Sequence, residues 1–159
     1  MRPTSAELLE TIAQELEDRV LPVVQDKWAA STLRSAMQLL RHLALRVPLE
    51  PRILAEDNKD ARAALLLARD RLTRLGESDL AAAAAAALDS DAADPLDVAA
   101  ADAVNERYLR AIETIVAARD RLRATDDPPT IHQSLVDYLQ RRLQREHPMF
   151  LPVFLSAPF

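Results

Sequence analysis

Apolar residues recur every three or four positions along most of this chain, and that spacing is typical of the buried face of an α-helix. The pattern predicts six helices, over about residues 4–21, 28–47, 58–75, 79–89, 95–124 and 130–146. The prolines at positions 22, 48 and 51 are expected to end the first two helices, because a proline has no N–H to donate within a helix. The expected fold class is therefore all-α.

Each predicted helix has an apolar stripe that we expect to face a core. The stripes include Leu8 and Ile12 in the first helix, Leu43 and Val47 in the second, and Leu143 in the last. Together they predict an up-and-down bundle of five or six helices, formed as a single domain over residues 1–159.

Capping signals support several of these boundaries. Thr4 with Glu7 three residues later has the form of a capping box at the start of a helix. Gly76, the only glycine, stands where a residue of left-handed conformation commonly ends a helix. Asp94 followed by Pro95 has the form of an N-cap and first helical residue.

The C-terminal segment is unusually apolar and rich in proline. Pro148, Pro152 and Pro158 lead us to expect an irregular tail over 148–159, attached to a core bundle over about 4–147. The tail contains all three phenylalanines, and such side chains are costly to leave in water. Two interpretations remain open: the tail folds back over the bundle, or it docks into another chain as an extended apolar segment.

Composition excludes several classes of site. Alanine occurs 29 times in 159 residues, whereas glycine occurs once and cysteine never. Glycine-rich phosphate loops, disulfides, zinc–thiolate sites and cysteine nucleophiles are therefore excluded. Few β-branched residues and many helix formers also argue against a β-rich fold.

The net charge of −5 disfavours nonspecific nucleic-acid binding, although eighteen of the twenty basic residues are arginine. The longest apolar run, Ala81–Ala87 closed by Leu88, is too short to span a membrane, and the N-terminus has no apolar signal core. We expect a cytoplasmic protein with no membrane or nucleic-acid partner. From Glu77 to Glu106 there are eight acidic residues and no basic one, which indicates either a solvated connector or a docking surface for a basic partner.

The three histidines, His42, His132 and His147, are too scattered to predict a metal triad on one helix face. No glutamate stands three residues before any of them, so the di-iron pattern is also missing. Carboxylate pairs occupy ordinary solvated positions. We therefore expect no metal, no cofactor and no catalytic residue.

One polar row is suited to anion binding. Arg34, Gln38 and Arg41 follow each other at intervals of four and three residues in the second predicted helix. Two arginines there are able to clamp a phosphate or carboxylate, because each guanidinium offers a planar fork of donors. The alternative is a solvated helix face. A second basic cluster, Arg141, Arg142 and Arg145, is accounted for by the dipole at a helix C-terminus.

Several short motifs resemble a family of small bacterial all-helical proteins of unknown function. The motifs are Arg2-Pro3-Thr4-Ser5-Ala6-Glu7-Leu8-Leu9, Val20-Leu21-Pro22, Arg34-Ser35-Ala36-Met37-Gln38-Leu39-Leu40 and His147-Pro148-Met149-Phe150-Leu151. The resemblance covers roughly residues 2–47 and 130–151, with Gln38 where the family tends to have asparagine. Such proteins are typically encoded beside an aminoglycoside-phosphotransferase-like kinase and an acyl-CoA dehydrogenase. The resemblance implies an accessory partner of that kinase in the catabolism of hydroxyacyl-CoA or related compounds, and it implies no catalytic residue.

The leading functional hypothesis is a non-catalytic interaction protein that supports a phosphotransferase-type kinase. The expected ligand- or partner-binding residues are Arg34, Gln38, Arg41, Pro148, Phe150, Leu151 and Phe154. The alternative is a small-ligand-binding or metal-dependent helical-bundle enzyme with an anionic-substrate pocket near Arg34 and Arg41. A third possibility is a structural domain that associates with copies of itself.

Overall fold

The computed structural model describes residues 2–89, 97–122 and 128–154, with side chains in the last stretch described from Ile131 to Phe150. All of the regular elements in these ranges are helical, so the prediction of an all-α fold is confirmed. The α-helices are α1 (Ser5–Glu15), α2 (Lys27–Leu75), α3 (Ser78–Leu88), α4 (Val98–Ala117), α5 (Arg119–Leu122) and α6 (Pro128–Phe154).

The described chain divides into two compact units. One, the terminal unit, consists of the residues up to 50 together with those from 146 onwards, and the other, the central unit, consists of residues 51–145. The division falls within α2 after Glu50 and within α6 after Arg145. The single domain expected over 1–159 stays a prediction.

The start of α1 follows the predicted capping box. The Thr4 side chain accepts a hydrogen bond from the backbone N–H of Glu7 at 3.2 Å, and the Glu7 carboxylate accepts one from the N–H of Thr4 at 2.7 Å. The predicted continuous helix to Leu21 is wrong. A π-helical turn, Leu16–Val20, and a 3-10 turn, Leu21–Val23, follow α1, and Pro22 lies within the 3-10 turn.

Helix α2 is the largest departure from the sequence-based prediction. It continues through Pro48 and Pro51, so the break expected between the second and third predicted helices is wrong. Each proline removes one backbone donor, yet every other residue of the helix retains its own N–H. The loss of two hydrogen bonds in 49 residues is therefore too local to end the helix.

Helix α6 shows the same effect at the other end of the chain. It runs through Pro148 and Pro152 to Phe154, so the expectation of an irregular tail is wrong for residues 148–154. Met149 is buried within this stretch, which gives the extended helix an apolar anchor. Residues 155–159 lie outside the described residues.

The central unit has a continuous apolar core. Leu65 and Leu72 of α2 meet Ile112 and Ile115 of α4 in a cluster that also holds Leu135 of α6. Helix α3 contributes small side chains at helical spacing: Leu80, Ala81, Ala84 and Ala87 are buried. Because alanine has no bulk beyond Cβ, a helix lined by it is able to approach its neighbours closely.

Boundaries around α4 differ from the prediction. Asp97 caps α4 by accepting a hydrogen bond from the N–H of Ala100 at 3.0 Å. The helix ends at Ala117 rather than at residue 124, and the short helix α5 follows. The predicted cap at Asp94 and Pro95 lies outside the described residues.

Several residues expected to face inward are exposed. Leu8 and Ile12 of α1 are each 49% exposed, and Leu43 and Val47 of α2 are also exposed, as is Leu143 of α6. The prediction for these side chains is wrong. Periodicity identifies the apolar face of a helix, but it does not show whether another element covers that face.

Candidate functional site

The polar row predicted from the sequence does not present three free side chains. Arg34 and Gln38 are exposed, whereas Arg41 is held by two carboxylates of the same unit. Its Nη2 contacts the Glu17 carboxylate, and its Nε lies 3.4 Å from Oε1 of Glu10. The hydrogen bond to Glu17 is the largest influence raising the pKa of Arg41. Arg41 therefore ties α2 to α1 and the π-helical turn.

An exposed apolar stripe lies on a different side of α2. At about 100° of rotation per residue, Trp28, Leu39, Leu43 and Val47 fall within an arc of about 100°. Arg34, Gln38 and Arg41 fall on a separate arc, across the strip that contains the buried Met37 and Ala44. We call the stripe of Trp28, Leu39, Leu43 and Val47 the α2 apolar face.

The α2 apolar face is strongly exposed for such large side chains. Trp28 is 72% exposed and Leu39 is 64% exposed, while Leu43 and Val47 are 45% and 41% exposed. The terminal unit exposes further large apolar side chains: Leu8, Ile12, Val20, Val23 and Phe150. The ion pair of Arg46 with Glu50, at 2.5 Å, lies on the same side of α2.

The predicted C-terminal binding residues lie in α6. Phe150 is exposed on one side, and its ring lies 6.4 Å from the ring of His42 on α2, at an angle of 36°. Pro148 is exposed. The side chains of Leu151 and Phe154 lie outside the described residues. Among the described residues, Nδ1 of His42 is buried and has no hydrogen-bond partner.

The central unit contains a buried polar cluster that the sequence analysis missed. Its centre is Asp57 of α2, whose residue exposure is 3%. Oδ2 of Asp57 accepts hydrogen bonds from Nδ2 of Asn105 at 2.7 Å and from the Tyr138 hydroxyl at 2.9 Å. Nη1 of Arg142 also donates to Oδ2, at 3.3 Å. Oδ1 accepts from Nη2 of Arg145 at 2.7 Å. We call this group the Asp57 cluster.

Two further side chains extend the Asp57 cluster. Nδ2 of Asn105 also donates to Oδ1 of Asn58 at 2.8 Å, and Nδ2 of Asn58 donates to the carbonyl oxygen of Ala101 at 2.8 Å. Nη1 of Arg145 donates to Oδ2 of Asp60 at 2.6 Å. The cluster thus connects α2 with α4 and α6 through charged and amide groups.

The electrostatics of the cluster favour fixed protonation states. Burial raises the pKa of Tyr138, and the negative charge of Asp57 adds to the effect, so the hydroxyl stays protonated as a donor. Burial lowers the pKa of Arg145, but its hydrogen bonds to Asp57 and Asp60 outweigh that effect and the net shift is upward. The hydrogen bond from Arg145 also lowers the pKa of Asp60.

Asp57 uses both carboxylate oxygens on partners from the protein itself, with three donors on Oδ2 and one on Oδ1. These four donors hold the carboxylate in place. Such a carboxylate is suited to cross-linking helices. The arrangement therefore positions the helices of the central unit.

A sequence signal for this cluster was available. Asp57 stands four residues after the buried Ile53 and four before the buried Ala61, so it lies on the core face of its helix. A charged residue on such a face requires a partner, because burial of an unpaired charge is strongly unfavourable. The arginines at 142 and 145 share one side of α6 and supply that partner.

Part of the acidic stretch is also used within the protein. Nη2 of Arg121 lies 2.7 Å from the Glu77 carboxylate and 3.0 Å from that of Asp79. This pairing fastens α5 to the start of α3. Asp91 and Asp94, which the docking-surface interpretation included, lie outside the described residues.

The described ranges also bear on metal sites and membrane-spanning helices. In those ranges, no three histidine or carboxylate side chains come together as a group able to hold a metal ion. No helix there combines the length and the apolar character needed to cross a membrane.

Comparison with known protein families, with curated proteins and with solved structures finds no match to this chain.

Proposed function

We propose that this protein is a non-catalytic interaction protein that supports a phosphotransferase-type kinase, and that the α2 apolar face is its docking surface. The observation that carries the proposal is the exposure of Trp28, Leu39, Leu43 and Val47 along one side of a helix. A series of large exposed apolar side chains on one side of a helix favours a site of interaction over an ordinary solvated face.

The spacing of the exposed side chains supports a specific mode of binding. Leu39, Leu43 and Val47 follow at intervals of four residues, which is the arrangement of anchors that an amphipathic helix lays into an apolar groove. Trp28, about three turns before Leu39, adds a large aromatic side chain of the kind that is enriched in binding hot spots. Burial of apolar area contributes about 25 cal/mol per Å² to such an association.

The choice of a kinase as partner comes from the sequence resemblance. The family that this chain resembles is typically encoded beside an aminoglycoside-phosphotransferase-like kinase, in the catabolism of hydroxyacyl-CoA or related compounds. The residues that carry the resemblance include Arg34–Leu40, which belongs to the helix that presents the apolar face. The proposal therefore assigns one surface to the partner that the resemblance implies.

The proposal is tested by binding measurements with a purified aminoglycoside-phosphotransferase-like kinase from the same organism. Isothermal titration with the wild-type chain is expected to detect a complex. The double variant Leu39→Glu, Leu43→Glu is expected to bind at least about tenfold more weakly, because two charged groups would enter an apolar contact. Circular dichroism establishes that the variant keeps its helix content.

A matched control uses an exposed leucine outside this surface. Leu67 is 40% exposed and belongs to the central unit, so Leu67→Glu is expected to leave the affinity unchanged. Failure of the wild-type chain to bind the kinase would overturn the choice of partner. Equal loss of affinity in Leu67→Glu and in the double variant would overturn the choice of surface.

A further inference from the structure

Helix α2 carries only positive charges along the stretch that presents the α2 apolar face. Residues 27–49 contain no aspartate and no glutamate, and their charged residues are Lys27, Arg34, Arg41 and Arg46. The chain as a whole, by contrast, has a net charge of −5. A partner that covers this face therefore meets cations from this stretch of α2 and no carboxylate.

Two of these four cations remain available to a partner. Arg41 and Arg46 are paired with carboxylates of the protein itself, as described above. Lys27 and Arg34 are exposed, and neither forms an ion pair with another described residue. Their charges therefore act on whatever binds at the surface of the helix.

Lys27 and Arg34 lie along one edge of the α2 apolar face. Nζ of Lys27 is 5.6 Å from the centroid of the Trp28 ring, so one cation adjoins the largest apolar anchor. On the side of α2 away from the buried Met37, Ser31 is three residues after Trp28 and three before Arg34. These three residues are therefore successive neighbours around the helix, and Ser31 is itself exposed.

The middle of the face consists of small side chains whose hydroxyl protons are already used. Thr32 and Ser35 lie between Trp28 and Leu39 along the helix, on or close to the same arc. Oγ1 of Thr32 donates to the carbonyl oxygen of Trp28 at 3.0 Å, and Oγ of Ser35 donates to that of Ser31 at 3.2 Å. The centre of the face is therefore suited to apolar contact rather than to hydrogen bonding with a partner.

The charges of the terminal unit favour a protein partner over an anionic membrane. Segments that bind lipid headgroups through charge carry clusters of about 4–8 cations, whereas this edge offers two. Helix α1 of the same unit also exposes Glu7, Glu10 and Glu15, which a broad negative surface would repel. A protein is able to place its carboxylates opposite the two cations alone.

We propose that the partner covers the α2 apolar face with an apolar surface that carries carboxylates along the edge facing Lys27 and Arg34. The contact extends from Trp28 to Val47, which is about 28 Å of helix. The carboxylates speed association with the correct partner, and a rival surface with a basic edge is repelled. This inference rests on the proposed function for the location of the docking surface, and it adds the chemistry of the partner.

A selection that does not involve the kinase tests this chemistry. A phage library of randomised peptides is first depleted on the double variant Leu39→Glu, Leu43→Glu and is then selected on the immobilised full chain. The retained peptides are expected to combine apolar residues with an excess of aspartate and glutamate over the unselected library. Their affinity for Lys27→Glu, Arg34→Glu should be at least about tenfold lower than for the wild type at low ionic strength, and the difference should shrink in high salt.

Two control variants accompany the selection. Lys59→Glu, Arg62→Glu makes the same change of charge at two exposed cations of α2 in the central unit, and it is expected to alter peptide affinity by no more than about twofold. Lys27→Arg, Arg34→Lys keeps both charges and should bind like the wild type. Failure to retain any peptide, retained peptides without an excess of carboxylates, or equal affinity of the wild type and Lys27→Glu, Arg34→Glu would overturn the proposal.

Vesicles of phosphatidylglycerol test the lipid alternative. Cosedimentation of the wild-type chain that is lost in Lys27→Glu, Arg34→Glu would assign the two cations to a membrane and would overturn the proposal. The kinase is absent from all of these samples. A kinase that fails to bind would therefore overturn only the choice of partner made above, whereas a lack of acidic peptides would overturn only the surface chemistry inferred here.

Discussion

Arg145 on α6 holds two aspartates of α2 with one guanidinium. Nη2 donates to Oδ1 of Asp57 at 2.7 Å, and Nη1 donates to Oδ2 of Asp60 at 2.6 Å. Asp57 and Asp60 are three residues apart and therefore lie on one side of α2. A planar fork of donors suits two adjacent carboxylates better than the single ammonium group of lysine does. Arg145 thus joins Tyr138 and Arg142 in fixing α6 to α2 within the central unit.

Loss of the Arg145 guanidinium is expected to destabilise the central unit strongly. In Arg145→Met the apolar part of the side chain is retained, but the nearly buried Asp57 loses one of its charged partners. We expect the free energy of unfolding to fall by about 2–4 kcal/mol, since a buried carboxylate with a missing partner is costly. Urea unfolding followed by circular dichroism at 222 nm measures the change.

The control for this variant is an exposed ion pair. Arg110 contacts Glu106 at 2.9 Å on the surface of α4, where both side chains are more than half exposed. Arg110→Met is expected to change the free energy of unfolding by no more than about 0.5 kcal/mol, as is typical of surface pairs. Equal losses of unfolding free energy in the two variants would contradict the expectation that a buried ion pair stabilises the central unit more than an exposed one does.

The Tyr138 hydroxyl provides a second test of the cluster. Tyr138→Phe removes one donor from Asp57 without changing the shape of the ring, and we expect a loss of about 1–2 kcal/mol in unfolding free energy. Tyr108 is buried to a similar degree, and it lies in the apolar core rather than in the Asp57 cluster. Tyr108→Phe is therefore the matched control, with an expected change of no more than about 0.5 kcal/mol. A loss in Tyr108→Phe as large as in Tyr138→Phe would contradict this account.

The pH dependence of stability is expected to involve Asp60. Arg145 lowers the pKa of Asp60 below its ordinary value of 3.8, so the folded chain binds this proton less tightly than the unfolded chain. The stabilisation is therefore present above the unfolded pKa and is lost as the pH falls through the folded pKa. The difference in unfolding free energy between the wild type and Asp60→Asn should be largest near neutral pH and should shrink below pH 3.8.

Urea unfolding of both proteins between neutral and acidic pH measures this difference. The same comparison in the Arg145→Met background serves as the control, because Asp60 then lacks its main partner. The difference between aspartate and asparagine is expected to vary less with pH in that background. An unchanged pH dependence after removal of Arg145 would show that the lowered pKa of Asp60 has another cause.

Local signals in the sequence predicted local structure well. The capping box at Thr4 and Glu7 and the left-handed glycine at position 76 were both correct, since each depends on residues only a few positions apart. The prolines led to wrong predictions of helix ends. Pro48 and Pro148 have the signature of a helix end, but the helix around each continues on its remaining hydrogen bonds.

The candidate sites required information that the sequence lacks. Asp57 and Arg145 are 88 residues apart, and only the packing of α6 against α2 brings them together. Leu39 is exposed because no described element packs over it, and the sequence pattern of α2 does not predict this. The role of Arg41 in binding an anion or a partner stays a prediction, and its ion pairs with Glu10 and Glu17 are determined by the tertiary structure.

The turn at Gly76 gives the last prediction. Gly76 has a φ of 77°, and its N–H donates to the carbonyl oxygen of Thr73 at 3.2 Å. The N–H of Glu77 donates to the carbonyl oxygen of Leu72 at 3.0 Å, and together these two bonds end α2 in a Schellman motif. The glycine thus lets the chain reverse from α2 into α3.

Replacement of Gly76 is expected to lower the free energy of unfolding only through strain in the left-handed backbone. A Cβ added there meets no heavy atom within 4 Å, so crowding contributes nothing. Gly76→Ala should lower the free energy of unfolding by about 1–2 kcal/mol, because L-residues are strained at positive φ. Gly76→Asn should lose less, since asparagine tolerates the left-handed region. Urea unfolding ranks the three proteins, and an alanine variant as stable as the wild type would mean that this turn does not require a left-handed residue.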